Sequence, residues 1–240
     1  MPNTRNLQTW SFSSLKQYER CPYSQYLKRI QRIATEENTD ETHPLVRGNR
    51  IHREAEEYVK GEVPDMPRSI KRFTSQFESL QDLYKEGQVI LEEGMGFTSD
   101  WEPCGFTDWG SVWHQSKMDA VIKHDETTFT IIDYKTGKSW GNEVPHSQQG
   151  ALYGVALMCL FPQAQSITVE FWYLDEGKTK RRTYNRSQLT AQMANFNKRA
   201  VQMTSATEFP PKPNKMNCLY CDYGVANGNG KCQYAVDPDL

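Results

Sequence analysis

Three features of this sequence predict a mixed α/β fold. Apolar residues recur at helical spacing over 47–60, where Ile51, Ala55, Tyr58 and Val59 form a stripe. The period then changes to two, in 89–91, 112–123 and 127–135, the last rich in Thr and Ile. A further helical stretch, 146–160, separates those strands from a closing hairpin at 167–174 and 179–184. Helix, three strands, helix and more strand is the pattern of a central mixed β-sheet flanked by helices.

The elements follow in order. Residues 10–22 read as a short helix opened by a serine cap and closed near Pro22. The polar stretch 35–44 is a solvated loop carrying Glu36, Glu37, Asp40 and Glu41. In the helix over 47–60, His52 sits at the edge of the apolar stripe, three residues before Ala55 and seven before Val59. Gly48 lies one turn earlier on the same side, leaving room above the imidazole. A second helix is expected over 69–84. In 112–123, Met118, Ala120 and Ile122 share one face of a single strand. The turn Thr136-Gly137 and Pro145 precede the helix over 146–160, with Leu152, Val155, Ala156 and Cys159 facing inward. A last helix covers 187–203, and the final thirty residues are loop-like with three cysteines.

The 240 residues are long enough for a substantial core, and 37% hydrophobic with 24% charged is an ordinary globular composition, so global disorder is excluded. The 28 Lys and Arg against 30 Asp and Glu leave a formal charge of −2, which excludes a uniformly basic nucleic-acid coat but not a local basic surface. No linker splits the chain. The expectation is a single domain over 1–240, with a core at about 45–205 and cysteine-bearing segments at about 10–30 and 209–240. No run of eighteen apolar residues and no apolar leader are found, so a cytoplasmic protein with no membrane partner is expected. In that compartment six cysteines suggest metal ligation before disulfides.

The chemistry-bearing centre is Asp119 in one strand and Asp133-Tyr134-Lys135 in the next. Residues two apart in a strand share a face, so Asp133 and Lys135 lie side by side at roughly 6–7 Å. An antiparallel hairpin symmetric about Glu126 puts Asp119 opposite Asp133, with their Cβ atoms about 5 Å apart. A slip of one residue would send the two carboxylates to opposite faces. Clustered carboxylates repel and take up protons unless a cation neutralises them. Hard oxygen donors favour Mg²⁺ or Mn²⁺, and an imidazole from His52 would tilt the preference towards Mn²⁺. Lys135 beside the cation is suited to hold a phosphate or orient water, which makes a site for metal-assisted phosphodiester hydrolysis. Taken singly, an Asp-x-Lys at a strand end is a solvated ion pair, and a lone histidine is a surface residue. The case rests on their combination and order.

In that combination the chain resembles the PD-(D/E)XK nuclease superfamily, in its RecB-like branch. That branch includes helicase–nuclease nuclease domains and CRISPR adaptation nucleases. The residues that carry the resemblance, in the branch's order, are Ser11-Phe12-Ser13-Ser14-Leu15 to Tyr18 with Cys21-Pro22, then Gly48-x-x-x-His52, Asp119, Asp133-Tyr134-Lys135 with Thr136-Gly137, and Gln149-x-x-x-Tyr153. The resemblance implies a restriction-endonuclease-like core whose N- and C-terminal segments are joined by a cysteine metal site. It implies a cation held by His52, Asp119, Asp133 and the backbone carbonyl of Tyr134, with Lys135 as the catalytic lysine. Gln149 and Tyr153, four apart on one helix face, would contact DNA or steady the catalytic elements. A glutamate before the first aspartate often joins such sites. Period two lets only one of Glu92 and Glu93 face inward, and Glu93 is the one expected. The run Ser116-Lys117-Met118 before Asp119 departs from the glycine and small or apolar residue usual in the branch.

Cys218-Leu219-Tyr220-Cys221 is a Cys-x₂-Cys knuckle, and Cys232 follows after a Gly- and Asn-rich stretch able to fold back on a metal. Three thiolates need a fourth ligand. The resemblance supplies Cys21 and implies a [4Fe–4S] cluster; four cysteines hold zinc equally well, and spacing alone does not decide. Cys104 and Cys159 have no such company and read as packing residues.

Basic residues should bring a polyanion to an acidic site. Lys178, Lys180, Arg181, Arg182 and Arg186 share a window without an acid, and Arg47, Arg50 and Arg53 surround His52. Arg47 and Arg50, and Arg181 with Arg182, are the candidate phosphate contacts. Trp109, Trp113 and Trp140 flank the catalytic strands, where packing or stacking on an unpaired base are the two roles open to them. The expected function is a DNA nuclease that requires Mg²⁺ or Mn²⁺. The resemblance makes it an exonuclease acting on ends or single strands in recombination, repair or processing. The alternative is a non-catalytic DNA-end-binding or assembly factor that keeps the fold; a third is a structural zinc protein whose Asp-x-Lys is incidental. No Gly-x-x-x-x-Gly-Lys-Ser/Thr loop occurs, so a helicase or recombination partner would be a separate chain.

Overall fold

The computed structural model describes residues 6–35, 39–91 and 94–237. In chain order its α-helices are α1 (Phe12–Arg20), α2 (Pro22–Gln25), α3 (Pro44–Lys60), α4 (Thr74–Lys85), α5 (Glu143–Leu160), α6 (Arg186–Thr204) and α7 (Lys215–Leu219). The strands are β1 (Val89–Leu91), β2 (Gly94–Phe97), β3 (Pro103–Cys104), β4 (His114–Lys117), β5 (Ala120–Lys123), β6 (Thr128–Lys135), β7 (Ser166–Tyr173) and β8 (Lys178–Asn185). The chain divides into two compact units, Asn38–Ala194 and the two ends Met1–Glu37 with Asn195–Leu240.

The central unit is built on a five-stranded sheet of order β1-β5-β6-β7-β8. The β6–β7 pair is parallel and its other pairs are antiparallel, so the sheet is mixed. A parallel pair needs a crossover, and α5 supplies it. The β5–β6 register pairs Ala120 with Ile132 and Val121 with Ile131. This is the register symmetric about Glu126. Asp125 closes the turn, its Oδ1 accepting from the backbone N–H groups of Thr127 and Thr128.

The expected single strand over 112–123 is instead two strands in two sheets. β4 pairs with β2 in a three-stranded sheet of order β3-β2-β4, whereas β5 pairs with β1 and β6. The chain changes partners at Met118-Asp119. In the sequence Met118, Ala120 and Ile122 keep their spacing of two across the junction, so the period alone does not reveal the break, whereas in the fold 118–121 are all buried. The helix expected over 69–84 begins as a 3₁₀ segment, Arg68–Phe73, and becomes α4 only at Thr74. Glu92 and Glu93 lie outside the described residues.

One face of the sheet is covered by α3 and α4. Ile51, Ala55, Tyr58 and Val59 pack with Phe73, Phe77, Leu80, Ala120, Ile132, Tyr134 and Trp172, all buried. Phe77 stands 5.2 Å from the Tyr134 ring and 5.3 Å from Trp172, a contact geometry that adds about 1 kcal/mol beyond area burial. His43 opens α3, its Nδ1 accepting from Leu45 N–H at 3.4 Å, and Pro44 needs no N–H partner at the first turn. Gly61 closes that helix with φ of 77°, a left-handed conformation suited to glycine. The helix α5 is buried without interruption from Gly150 to Met158. A Cβ at Gly150 would stand 3.0 Å from Phe171 Cζ, so the missing side chain lets α5 lie close on β7.

In the unit formed by the chain ends, Ser11 caps α1 in a capping box with Ser14. Trp10 stacks on Phe196 at 6.4 Å, and Glu19 takes the Arg199 guanidinium on both carboxylate oxygens. Tyr223 is buried and its hydroxyl donates to the Ile33 carbonyl. No helix among the described residues is long and apolar enough to cross a membrane.

Candidate active site

Four elements converge on one cleft of the central unit. The helix α3 brings Gly48, Asn49 and His52; the β4–β5 junction brings Asp119; the end of β6 brings Asp133, Tyr134 and Lys135 with Thr136, Gly137 and Lys138; α5 brings Asn142, His146, Gln149 and Tyr153 near its start. The cleft encloses about 390 Å³.

Asp119 and Asp133 are 8% and 3% exposed. Both carboxylate oxygens of Asp119 are engaged: Oδ1 lies 2.9 Å from His52 Nδ1, and Oδ2 accepts from Tyr134 N–H at 2.6 Å. Burial pushes the Asp119 carboxyl above the usual carboxylate range, and the neighbouring Asp133 adds to that. The His52 contact and the Tyr134 N–H pull the other way. Asp133 forms an ion pair with Lys135, 2.6 Å from its Nζ. Lys135 Nζ also donates to Gln149 Oε1 at 2.8 Å, and Gln149 Nε2 donates to Tyr153 Oη at 2.7 Å. Tyr153 in turn hydrogen-bonds Asp133, and burial followed by the two carboxylates holds its phenol well above its ordinary pKa. Asp133, Lys135, Gln149 and Tyr153 are therefore linked by an ion pair and two hydrogen bonds that position the lysine ammonium.

The period of the strand explains this arrangement. Asp133 and Lys135 face α5, whereas the Tyr134 ring turns to the opposite face and packs with Phe77 and Trp172. Gly48 keeps α3 close to the strand's end, since a Cβ there would already touch Thr136 Oγ1 at 3.4 Å.

The basic candidates are less uniform. Arg47 forks onto Asp175 at 3.0 and 2.5 Å and donates to the Thr136 carbonyl, so it braces the turn after Lys135. Arg50 pairs with Glu54 at 2.5 Å. Arg181 and Arg182, adjacent on β8, point to opposite faces. Arg182 lies over Tyr184 and reaches Ser147 on α5, while Arg181 approaches Glu170 at 4.0 Å. Lys180 shares the α5 face, pairing with Glu143.

The unremarked residue of the cleft is His146. Its Nδ1 meets Tyr173 Oη at 2.7 Å and its ring stacks on Phe171. Burial, reinforced by Lys135, lowers its pKa to about 4, so it is neutral at neutral pH. Its spacing of three before Gln149 puts both on one face of α5, a signal readable from the sequence.

In the unit of the chain ends, Cys21, Cys218, Cys221 and Cys232 all line one small cavity. Backbone N–H groups of Lys212 and Val236 point at Cys21 Sγ and Cys218 Sγ, each at 3.4 Å. Burial raises the Cys221 and Cys232 thiols, and neighbouring cysteines raise them further. Gly224 and Gly228 pass so close to the Cys218 and Cys221 carbonyls that a Cβ at either would collide. Cys104 and Cys159 lie apart from this group, and burial lifts the Cys159 thiol to about 11. Among the described residues, no group of three or more His, Cys, Asp or Glu side chains is arranged to hold a metal ion as it stands.

No curated protein matches the sequence. The fold is similar to the crystal structure of a "Putative exonuclease" from Eubacterium rectale, with a TM-score of 0.54 and 13% identity over 96% of this chain and 91% of that one. The crystal structure of SSO0001 aligns with a TM-score of 0.49 and 14% identity over 97% of this chain and 89% of that one. A family model described as the PD-(D/E)XK nuclease superfamily matches residues 9–226. With nearly the whole sequence matched, and with Asp133 and Lys135 at the end of β6 beside Asp119 from the β4–β5 junction, the chain belongs to the PD-(D/E)XK nuclease superfamily.

Proposed function

We propose that this protein is a DNA nuclease dependent on Mg²⁺ or Mn²⁺, acting as an exonuclease at DNA ends or on single strands. The observation that carries the reading is the buried pair Asp119 and Asp133 beside a lysine tethered by Gln149. Two buried carboxylates, one with its pKa raised partly by the other, form a donor set that a divalent cation would relieve. His52, Asp119, Asp133 and the Tyr134 carbonyl would hold that cation. When bound it would supply positive charge for the developing charge on phosphorus oxygens and lower the pKa of water. Glu93 is a further candidate ligand of this site.

The protein's own groups do the rest. Lys135 Nζ, held at Asp133 and Gln149, is placed to bind a phosphate oxygen or to orient the attacking water. His146 is neutral and adds no competing positive charge. Arg182, on the α5 side of β8, is the better placed phosphate contact; Arg47, Arg50, Lys180 and Arg181 act in this reading through their carboxylate neighbours.

A structural [4Fe–4S] cluster on Cys21, Cys218, Cys221 and Cys232 belongs to the same proposal, with zinc as the alternative occupant. Four thiols on one cavity, two of them receiving backbone N–H groups, fit either metal centre. Work in recombination, repair or DNA processing beside a separate helicase or recombination partner would suit such an enzyme.

Digestion of end-blocked and strand-labelled DNA in Mg²⁺ and Mn²⁺ tests the reading. The wild type should release nucleotides from free ends, and Asp133→Ala should not. Equal degradation by both would refute it, and binding to ends without degradation would favour the assembly-factor alternative.

A further inference from the structure

Trp140 is the most exposed large apolar side chain of the described residues, with 84% of its surface in water. A single exposed indole is ordinary on a protein surface, so its place at the mouth of a functional cleft, not its exposure, makes it a candidate contact for a flat ligand. Its position is held firmly. The preceding residue, Ser139, is buried and gives both its N–H and its hydroxyl to the Glu176 carboxylate, at 3.0 and 2.8 Å. The following turn is set by Gly141, with φ of 80°, and closed by Asn142, whose amide donates to the Lys138 carbonyl at 3.0 Å. The residues on either side, Gly137, Lys138 and Asn142, line the catalytic cleft. Trp140 is therefore an anchored aromatic surface at the cleft mouth, next to an exposed cation.

The geometry points to Trp140 as a stacking platform for an unpaired nucleobase, with the Lys138 ammonium taking the adjoining phosphate. This rests on the nuclease reading for its substrate class, and it goes beyond it by naming what the site selects. A base inside a duplex shows its π-faces only to neighbouring pairs, whereas an unpaired base presents a free face to an indole. An anionic strand is also the partner that matches an indole beside lysine rather than beside a carboxylate. Trp109, 65% exposed, lies on the turn after Gly105, where no residue lines the cleft, and serves as the internal control.

The test is equilibrium binding in EDTA of fluorescent duplexes bearing an overhang, either base-containing or abasic and of equal length. Wild type, Trp140→Ala, Trp140→Phe and Trp109→Ala are compared, with the thermal transition of each recorded. Trp140→Ala should weaken binding to the base-containing overhang by roughly 5- to 150-fold, the range for loss of one stacked-base contact. Trp140→Phe should recover most of that loss, and Trp109→Ala should match wild type. Binding to the abasic overhang should be the same in all four. The proposal is overturned if Trp140→Ala binds the base-containing overhang as wild type does, or weakens both overhangs equally. It is overturned too if wild type binds no overhang. Cleavage in Mn²⁺ is measured separately: a wild type that shows the stacking signature without cutting DNA refutes the nuclease reading alone.

Discussion

His52 Nδ1 lies 2.9 Å from Asp119 Oδ1, joining a helix on one side of the sheet to the junction where the chain leaves one sheet for another. The contact balances part of what burial does to Asp119. Burial raises the carboxyl's pKa, and the imidazole and the Tyr134 N–H lower it again. The raised folded-state value means the native protein holds this proton more tightly than the unfolded chain. Stability from that proton is present below the ordinary carboxylate pKa and is lost as pH rises through the folded value.

A proton on this carboxyl competes with a cation, so cation affinity should rise with pH. We expect Mn²⁺ to raise Tm more at pH 8 than at pH 6, with a stabilisation of about 2.7 kcal/mol at a hundredfold excess over Kd. Asp119→Asn should abolish the shift. Scanning calorimetry at the two pH values checks this; an undiminished shift in the variant would remove Asp119 from the ligand set.

Lys135 and Gln149 should separate chemistry from cation binding. Lys135→Met should slow cleavage by about 10²- to 10⁴-fold while leaving the Mn²⁺-induced Tm shift in place. Gln149→Leu, which frees the ammonium without removing it, should cost about tenfold. Single-turnover digestion measures both. A Gln149 variant as slow as the Lys135 variant would show that the amide does more than position the lysine.

His146 gives a pH signature of stability. Its pKa of about 4 in the folded protein lies below the ordinary value near 6.5, so the unfolded chain takes up this proton first as pH falls. Stability from this group is therefore complete above about pH 7 and is lost between about 6.5 and 4. Partial exposure of the ring reduces the full linkage to about 1 kcal/mol. His146→Gln should flatten the urea-denaturation free energy over that interval, and an unchanged slope would remove the histidine from the account.

The cysteine cavity predicts a metal-dependent transition. Cys21→Ser, Cys218→Ser, Cys221→Ser and Cys232→Ser should each lower Tm, by roughly 6–12 °C if about 3 kcal/mol is lost, whereas Cys104→Ser should change it little. Iron and acid-labile sulfide assays after anaerobic purification identify the centre. Zinc without iron would replace the cluster with a zinc knuckle, and neither metal would remove the centre altogether.

The sequence by itself determined the helix over 47–60, the helix before the closing hairpin, the shared face of Asp133 and Lys135 and, once a hairpin symmetric about Glu126 is assumed, the β5–β6 register. These depend on local periodicity: side chains alternate with period two in a strand, and a short turn leaves few registers that keep the apolar face inward. Only the tertiary structure decided which strands pair. The stretch from Val112 to Lys123 keeps apolar residues two apart while switching from β2 to β6 as partner, because a sequence period records which residues share a face and not which strand lies beside them. It also decided which charges are free to meet a substrate. Arg47 and Asp175 are 128 residues apart in sequence and form a fork in space, and Arg181 and Arg182 are neighbours in sequence on opposite faces of one strand. Charge acts through distance in the folded chain, which composition does not contain.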